Sequence, residues 1–269
     1  MEFNLEAYFE RIGYEGVAEV DFGTLKKLSF LHTQTLPFEN LNPFLGIPVK
    51  IDQTSLQNKM VQKQRGGYCY EHNLLFCYAL QAMGFQVIPF PARVLKHHSE
   101  GNIPPKTHIL LQVLIGEDKF LVDVGFGKET LTGPIPFKMD KAHPTPHKYY
   151  RIQKKSKHYL MQCRTQRGWG DMYSFLPRRF YFADCKVANW YVSTHPDSPF
   201  TQGLIAARAG NKCTYTLSNH KFKVHHINGS SDLKVLNSVE EMKEVLTDIF
   251  KIDLPDVDHV TSSLSRVLK

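Results

Sequence analysis

The spacing of apolar side chains along this chain changes character near Gly84. Before it, leucines stand at positions 25, 28, 31 and 36, close to the spacing of one helix face, which predicts an amphipathic helix that begins near a Thr24 cap. A second run of this kind follows Thr54, and a third begins at Cys69 and ends at Gly84, a residue suited to ending a helix. The first 84 residues are therefore predicted to be helical.

After Gly84 the apolar and aromatic residues fall into short segments separated by turn residues, which predicts strands. These segments read FQVIPFPARV, HILLQVLI, KFLVDVGF, KYYRIQ, HYLMQC and MYSFL. Because proline cannot donate a backbone hydrogen bond, Pro89 and Pro91 are expected to place the first strand at a sheet edge. A block of helices followed by a block of strands favours an α+β fold over βαβ alternation.

The last part of the chain returns to a mixed pattern. The proline-rich segment STHPDSPF is predicted to be a connector, after which CTYTLSN and FKVHHIN read as strands and SVEEMKEVLTDIF as a closing helix. We therefore divide the chain into residues 1–84, 85–194 and 195–269.

Composition limits the classes of protein that fit. The 269 residues are 42% hydrophobic, which suits a globular protein, and the net charge of +7 favours anionic partners. The basic clusters are short and lack the interleaved aromatic residues of RNA-binding modules, so no nucleic-acid partner is expected. No apolar run reaches the roughly 20 residues that cross a bilayer, and the acidic start does not resemble a signal peptide. We expect a cytoplasmic protein that does not bind membranes.

The cysteines do not form a scaffold. There are five, an odd number, with no CxxC pair, which argues against a disulfide framework and against a zinc site of ordinary spacing. We therefore expect no metal and at least one free thiol.

The densest chemical signal is the segment RGGYCYEHN at residues 65–73. Two glycines allow a sharp turn that delivers Cys69 to the first turn of a helix, where unpaired N–H groups and the helix dipole favour the thiolate form. A buried and inert cysteine is the alternative interpretation. A cysteine nucleophile also needs a base, and the base needs an orienting group.

His108 and Asp123 can supply these two groups if one hairpin turn has the right length. A two-residue turn at Gly116-Glu117 pairs Ile115 with Asp118 and places His108 and Asp123 on one face. A three-residue turn would send them to opposite faces. An unpaired carboxylate in an apolar strand is costly, so Asp123 needs a partner in any case. A structural polar pair with no catalytic role is therefore an alternative interpretation of His108 and Asp123. Beyond Asp123, Gly125-Phe126-Gly127 is not an ATPase phosphate loop, but its glycines let a ligand such as a cofactor approach the backbone.

Five segments in series carry a family resemblance. They are PFEN at 37–40, RGGYCYEHN at 65–73, ARV at 92–94, the Thr107-His108 strand start and DVGFG at 123–127. In order and spacing they resemble the signatures of the arylamine N-acetyltransferase family, over about residues 1–200. The chain departs from the family's pattern at Leu74, where glycine often stands, and it has His at position 72, which varies.

This resemblance implies a fold and a set of roles. The fold would be an N-terminal helical bundle, a central β-barrel and a C-terminal α/β lid. Cys69 would accept the acetyl group, His108 would be its base and Asp123 would orient the imidazole. The substrate pocket would be lined by Phe38, Val94 and Phe126. The residues expected to support the site structurally are Arg65 paired with Glu39, and Gly67, Tyr70 and Asn73, while Gly125 and Gly127 would approach the cofactor.

The implied reaction is ping-pong acetyl transfer, with acetyl-CoA as co-substrate and an aromatic amine or hydrazine as acceptor. The CoA phosphates agree with the +7 charge. The protein would act as a monomer or a homodimer. A Cys-His-Asp triad also serves thiol hydrolases, transglutaminase-like enzymes and a related amide synthase, and a non-catalytic basic binding module is a further alternative.

Overall fold

The computed structural model describes residues 2–95 and 103–268. Its helices are α1 (Leu5–Ile12), α2 (Phe22–Thr35), α3 (Leu41–Phe44), α4 (Gln53–Leu56), α5 (Cys69–Ala82), α6 (Phe182–Thr194), α7 (Pro199–Gln202), α8 (Val239–Glu244) and α9 (Val260–Ser265). Its strands are β1 (Phe38–Glu39), β2 (Gln86–Val94), β3 (His108–Ile115), β4 (Asp118–Val122), β5 (Ile135–Pro136), β6 (His143–Pro144), β7 (Tyr149–Lys155), β8 (His158–Thr165), β9 (Gly168–Phe175), β10 (Ile205–Ala209), β11 (Cys213–Ser218), β12 (Lys221–His226) and β13 (Ser231–Val235). The predicted order, helices first and strands after Gly84, is confirmed.

Two helices, α2 and α4, begin two or three residues earlier in the structure than the sequence predicts. Asp21 caps α2 by accepting from the Thr24 backbone N–H at 2.6 Å, and Asp52 caps α4 by accepting from Ser55 at 3.0 Å. A carboxylate at the N-cap also interacts favourably with the positive end of the helix dipole, which explains why aspartate rather than Thr24 or Thr54 takes this position.

The predicted connector is shorter than STHPDSPF. Helix α6 continues through Thr194 and α7 starts at Pro199. Sequence patterning does not indicate α6, because apolar side chains such as Val187 and Trp190 on this helix are 69% and 65% exposed and so do not mark a single buried face.

The central sheet curls into a barrel, as the α+β prediction requires. Its strands are hydrogen bonded in the order β5-β4-β3-β2-β9-β8-β7-β6, and the two end strands β5 and β6 contact each other. Its interior is filled by apolar side chains that include Phe90, Leu110, Leu121, Ile152 and Met161. The barrel therefore has a packed core rather than an open channel.

The two prolines of β2 divide this strand into two halves. Residues 86–92 pair with β3, and Ala92–Val94 pair with β9, so only Ala92 pairs with both strands. The edge prediction holds for the half that contains Pro89 and Pro91, which has a strand on one side only. It is wrong for the strand as a whole, which lies inside the sheet order.

The C-terminal unit recruits a segment from the start of the chain. Strand β1 pairs with β10, Phe38 opposite Ala207 and Glu39 opposite Ala206, and it forms one edge of the sheet β1-β10-β11-β12-β13. Leu41, Phe44 and Leu45 then pack in the same apolar cluster as α8 and α9. The α/β character expected of the lid is thus present, and a short N-terminal segment contributes to it. The division at residues 84 and 194 stays a prediction.

Candidate active site

Cys69 is the first residue of α5, and a glycine turn places it there. A Cβ on Gly66 would lie 1.9 Å from the carbonyl oxygen of Pro37, and one on Gly67 would lie 2.7 Å from the Glu71 side chain. Only glycine fits at such approaches. The Glu71 carboxylate in turn accepts from the Tyr68 backbone N–H at 3.0 Å, which caps the helix one residue before the cysteine.

His108 and Asp123 reach this helix end from one hairpin, in the predicted register. Ile115 pairs with Asp118 across a two-residue turn, and β4 ends at Val122, immediately before Asp123. The imidazole Nε2 of His108 and the Asp123 Oδ2 are 2.7 Å apart. Since the carboxylate only accepts, Nε2 carries the hydrogen, and the other nitrogen, Nδ1, is free to take a proton.

The sulfur lies where the hairpin and helix meet. The Cys69 Sγ donates to the carbonyl oxygen of Thr107, the residue before His108, at 3.6 Å. The chain just after Asp123 also packs on the nucleophile, since a Cβ on Gly125 would lie 3.0 Å from the Cys69 Cα. The structure therefore brings the three predicted residues to one place.

Asn73 fixes the Asp123 carboxylate. Its Nδ2 donates to Asp123 Oδ1 at 3.0 Å and to the Ile109 carbonyl at 2.9 Å, and its Oδ1 accepts from the Val124 backbone at 3.1 Å. The Gly125 N–H donates to the same carboxylate oxygen at 3.2 Å. Asn73 lies one helical turn after Cys69, so α5 carries both the candidate nucleophile and the clamp of its remote carboxylate.

The ionisation of Cys69 depends on a partner. Burial raises the pKa of the Cys69 thiol well above its ordinary value, and the Asp123 charge raises it further, while backbone hydrogen bonds from Tyr70 and Cys69 lower it less. The effect of burial on the pKa of this thiol therefore exceeds that of the backbone donors at the helix start. The thiol requires a neighbouring proton acceptor, and His108 Nδ1 is suited to that role.

A buried charge cluster supports the turn before Cys69. Arg65 donates to Glu39 Oε1 from Nε at 3.1 Å and from a terminal nitrogen at 2.7 Å, which matches the expected pair. Lys59, which sequence analysis missed, donates to Glu71 at 2.7 Å and lies 3.6 Å from Glu39. Burial alone would raise the Glu39 pKa, but Arg65, Lys59 and the Leu41 backbone N–H overcome it and lower the pKa to about 2.

The residues expected to line a substrate pocket lie around the triad. Phe126 packs edge-on to the His108 imidazole, with ring centroids 4.8 Å apart, and Val94 pairs with Tyr173 across the sheet. The Phe38 ring lies against Gly127, 3.6 Å from where a Cβ would be. The structure adds Tyr173, whose ring lies 4.9 Å from that of His108. The alternating pattern of MYSFL indicates that the Tyr173 side chain points inward, but nothing in the local sequence indicates that it contacts His108.

Tyr70 and Gly67, the remaining residues expected to support the site structurally, also lie beside it. The Tyr70 hydroxyl donates to the Lys106 carbonyl at 3.3 Å, close to the start of β3. The Gly67 carbonyl accepts from the Glu39 backbone at 2.8 Å, so the glycine turn is bonded to β1.

A cationic surface borders the glycine loop 125–127. Burial, together with the charges of Lys128, Lys223 and Lys148, lowers the pKa of His225 to about 4. One carboxylate, Glu129, also lies there, 4.0 Å from Lys148. This region suits a polyanionic ligand next to the triad.

Cavity size does not identify the site. A cavity of about 980 Å³ lies between the segment 43–52 and helices α6 and α9, and it is lined by none of Cys69, His108 and Asp123. We therefore locate the site by its chemistry.

Residues 2–95 and 103–268 lack two other kinds of feature. Within these ranges no helix has the length and apolar character to span a bilayer. The same residues contain no cluster of three or more His, Cys, Asp or Glu side chains arranged to hold a metal ion.

Comparison with known proteins agrees with the geometry. A family model described as N-acetyltransferase matches residues 21–259. Arylamine N-acetyltransferase of Mycobacterium tuberculosis is 36% identical over 261 residues, which cover 96% of this chain and 92% of that protein. Its structure matches 99% of this chain and 100% of that one with a TM-score of 0.94.

A second solved structure is similar and holds a ligand. Arylamine N-acetyltransferase of Mycobacterium marinum in complex with CoA is 31% identical, covers 98% of both chains and gives a TM-score of 0.93. The barrel, the helical N-terminal part and the C-terminal unit are thus shared with these proteins over nearly their whole length. The chain therefore belongs to the arylamine N-acetyltransferase family.

Proposed function

We propose that this protein transfers an acetyl group from acetyl-CoA to the nitrogen of an aromatic amine or hydrazine through a thioester on Cys69. The observation that carries the proposal is the 2.7 Å bond between His108 Nε2 and Asp123 Oδ2 at the strand end that contacts the Cys69 sulfur. In this arrangement the imidazole Nδ1 is the acceptor for the thiol proton.

In the first half-reaction, the thiol proton passes to His108 and the sulfur attacks the acetyl carbonyl. The C–S bond to CoA breaks, and His108 returns the proton to the departing CoA thiolate. Asp123 stabilises the imidazolium that forms in between, because its carboxylate is held by Asn73 and Gly125. Backbone N–H groups at the start of α5 face the sulfur and are candidates to bind the oxyanion.

In the second half-reaction, the amine nitrogen attacks the thioester carbonyl. The bond from the carbonyl to Cys69 Sγ breaks, the amine loses a proton to His108, and the thiol is restored. Phe38, Val94 and Phe126 would provide an apolar wall for the acceptor ring, and the edge-on contact of Phe126 with His108 places that wall beside the base.

The CoA phosphates fit the cationic surface beside Gly125 and Gly127. Lys128, Lys148 and Lys223 would neutralise them, with Glu129 opposing part of this attraction. We expect Lys223→Glu to raise the KM for acetyl-CoA but to leave transfer from p-nitrophenyl acetate, a donor without phosphates, unchanged. Lys155→Glu, at an exposed position beside the turn of the β7–β8 hairpin and at the opposite end of β7 from Lys148, is the matched control.

The direct test is mass spectrometry of the protein incubated with acetyl-CoA. The peptide that contains Cys69 should gain one acetyl group and lose it when aniline is added, and the acetylated aniline should appear. A protein that never carries acetyl on Cys69 would contradict the proposal, and hydrolysis without transfer to aniline would favour a thiol hydrolase. A cytoplasmic location and a monomeric or homodimeric state stay predictions.

A further inference from the structure

A line of buried polar side chains runs from α1 to the turn before Cys69. The Tyr8 hydroxyl lies 2.8 Å from His32 Nδ1, and His32 Nε2 lies 2.9 Å from His72 Nδ1. His72 Nε2 then lies 3.0 Å from the carbonyl oxygen of Pro37. Tyr8, His32 and His72 are at most 1% exposed. We call these three side chains the Tyr8–His72 chain.

When both imidazoles are neutral, the hydrogens of this chain have only one arrangement that satisfies every bond. The Pro37 carbonyl can only accept, so His72 carries its hydrogen on Nε2. Both imidazoles are neutral, since burial lowers the pKa of His72 to about 4 and that of His32 well below its ordinary value. His72 Nδ1 therefore accepts from His32 Nε2, and His32 Nδ1 accepts from the Tyr8 hydroxyl. Flipping either ring would break two bonds, so each ring has one orientation.

The chain ends at the segment that carries Phe38. The Pro37 carbonyl that accepts from His72 also accepts from the Gly67 N–H at 3.3 Å. The Phe38 ring lies parallel to the His72 imidazole, with centroids 6.3 Å apart and an angle of 9°. His72 therefore bonds the residue before Phe38 and lies parallel to the Phe38 ring, which also contacts Phe200.

The acetyl-transfer groups are held by other contacts. Asp123 is bonded to His108, Asn73 and Gly125, and the start of α5 is capped by Glu71. Loss of the Tyr8–His72 chain should therefore affect the position of Phe38 more than the chemistry at the sulfur.

We propose that the Tyr8–His72 chain positions Phe38 as a wall of the acceptor pocket, which makes His72 a positioning residue for the amine. The inference rests on the proposed function, because it assigns the amine to the pocket beside Phe38. It predicts a defect in amine recognition without a defect in donor use.

Three variants separate these effects. His72→Phe keeps an aromatic ring and removes both hydrogen bonds, whereas His72→Gln keeps one acceptor oxygen and one amide donor. Tyr8→Phe keeps the shape and removes only the distant donor. We expect the KM for aniline to rise about tenfold in His72→Phe, about threefold in Tyr8→Phe and less than about twofold in His72→Gln. The rate at which acetyl-CoA acetylates Cys69 in the absence of amine should stay within about twofold in all three.

Equal losses in both half-reactions would overturn the proposal, as would a Gln variant no better than the Phe variant. If His72→Phe does not fold, Tyr8→Phe decides: an unchanged KM for aniline overturns the proposal. ¹⁵N NMR of the wild-type histidines gives a readout that is independent of activity. His32 and His72 should both carry hydrogen on Nε2, and an Nδ1–H form of either ring overturns the chain. Failure of the proposed function would appear separately, as wild-type protein that never carries acetyl on Cys69.

Discussion

Helix α5 carries two cysteines whose surroundings differ sharply. Cys69 and Cys77 lie two turns apart and are 4% and 3% exposed, so burial does not distinguish them. Burial raises the pKa of both thiols, that of Cys77 to about 12. Both cysteines pack in the apolar cluster of the helical part, but of the two only Cys69 lies at a helix start beside a strand that carries a candidate base. The role proposed for Cys69, and not for Cys77, therefore depends on a neighbouring proton acceptor rather than on exposure.

The largest effect should come from removing each sulfur in turn. Cys69→Ala should reduce acetyl transfer at least about 10⁴-fold, because no other group can form the thioester. Cys77→Ala should keep kcat/KM within about twofold and cost about 1 kcal/mol of unfolding free energy, as a small buried deletion does. Steady-state kinetics with acetyl-CoA and aniline, together with urea unfolding, measure both. A Cys69→Ala enzyme with a tenth of the wild-type rate would contradict the assignment.

The next largest effect should come from replacing Asp123, the carboxylate that the site of Cys69 has and that of Cys77 does not. In Asp123→Asn the amide oxygen should face the donors of Asn73 and Gly125, so the amide N–H faces His108 and the imidazole tautomer that can take the thiol proton is lost. We expect kcat/KM to fall about 10³-fold.

The chain provides a matched control for that variant. His226 and Asp232 form another Nε2–Oδ2 pair, at 2.8 Å, with side chains 39% and 78% exposed. Asp232→Asn should leave kcat/KM within about twofold, because this pair is solvated and lies away from the sulfur. Similar losses in the two variants would show that the effect of Asp123 is not specific to the triad.

The site could be predicted from sequence where it depends on local rules. The glycine pair before Cys69 and the two-residue turn at Gly116-Glu117 each have few structural solutions, and both fix the placement of a neighbouring functional residue. Counting residues left two hairpin registers open, and the structure has the one with a two-residue turn.

The parts that could not be predicted depend on contacts between distant segments. Lys59 occupies a helical run that reads as an ordinary surface, and only the folded chain brings it to Glu39 and Glu71. The pairing of β1 with β10 joins segments more than 160 residues apart. The helix start that favours the Cys69 thiolate is visible in the sequence, whereas the burial that raises the pKa of this thiol is not.

The two ends of α5 also differ in charge, because the buried charge cluster of Glu39, Arg65 and Lys59 lies at the Cys69 end. The variant Glu39→Gln tests what this cluster contributes. The variant leaves Arg65 buried beside a neutral amide, which should lower the unfolding free energy by about 3 kcal/mol. Because the Glu39 pKa is lowered from 4.5 to about 2, its stabilisation is present above the unfolded pKa and is lost as pH falls toward the folded value. Urea unfolding between pH 7 and pH 3 should show this loss in wild-type protein and a flatter profile in Glu39→Gln.

The half-exposed carboxylate Glu241, which accepts from the Asn237 backbone N–H and lies 3.6 Å from Lys234, is the control for this prediction. Glu241→Gln should leave the pH dependence above pH 4 unchanged. If Glu39→Gln is as stable as wild type, the charge cluster does not support the Cys69 end of α5.

The smallest effect concerns alkylation of the two thiols, and it separates the role of the base from that of the helix terminus. At pH 7, iodoacetamide should modify Cys69 about tenfold faster than Cys77, as followed by peptide mass spectrometry. In His108→Gln the helix start and its N–H groups remain, but the proton acceptor is gone. Since burial raises the pKa of the Cys69 thiol, its thiolate then forms only at higher pH, and the rate at pH 7 should fall to that of Cys77 and recover as pH rises. If His108→Gln still reacts tenfold faster than Cys77 at pH 7, the helix terminus alone activates the sulfur, and the difference between the two cysteines does not depend on the base.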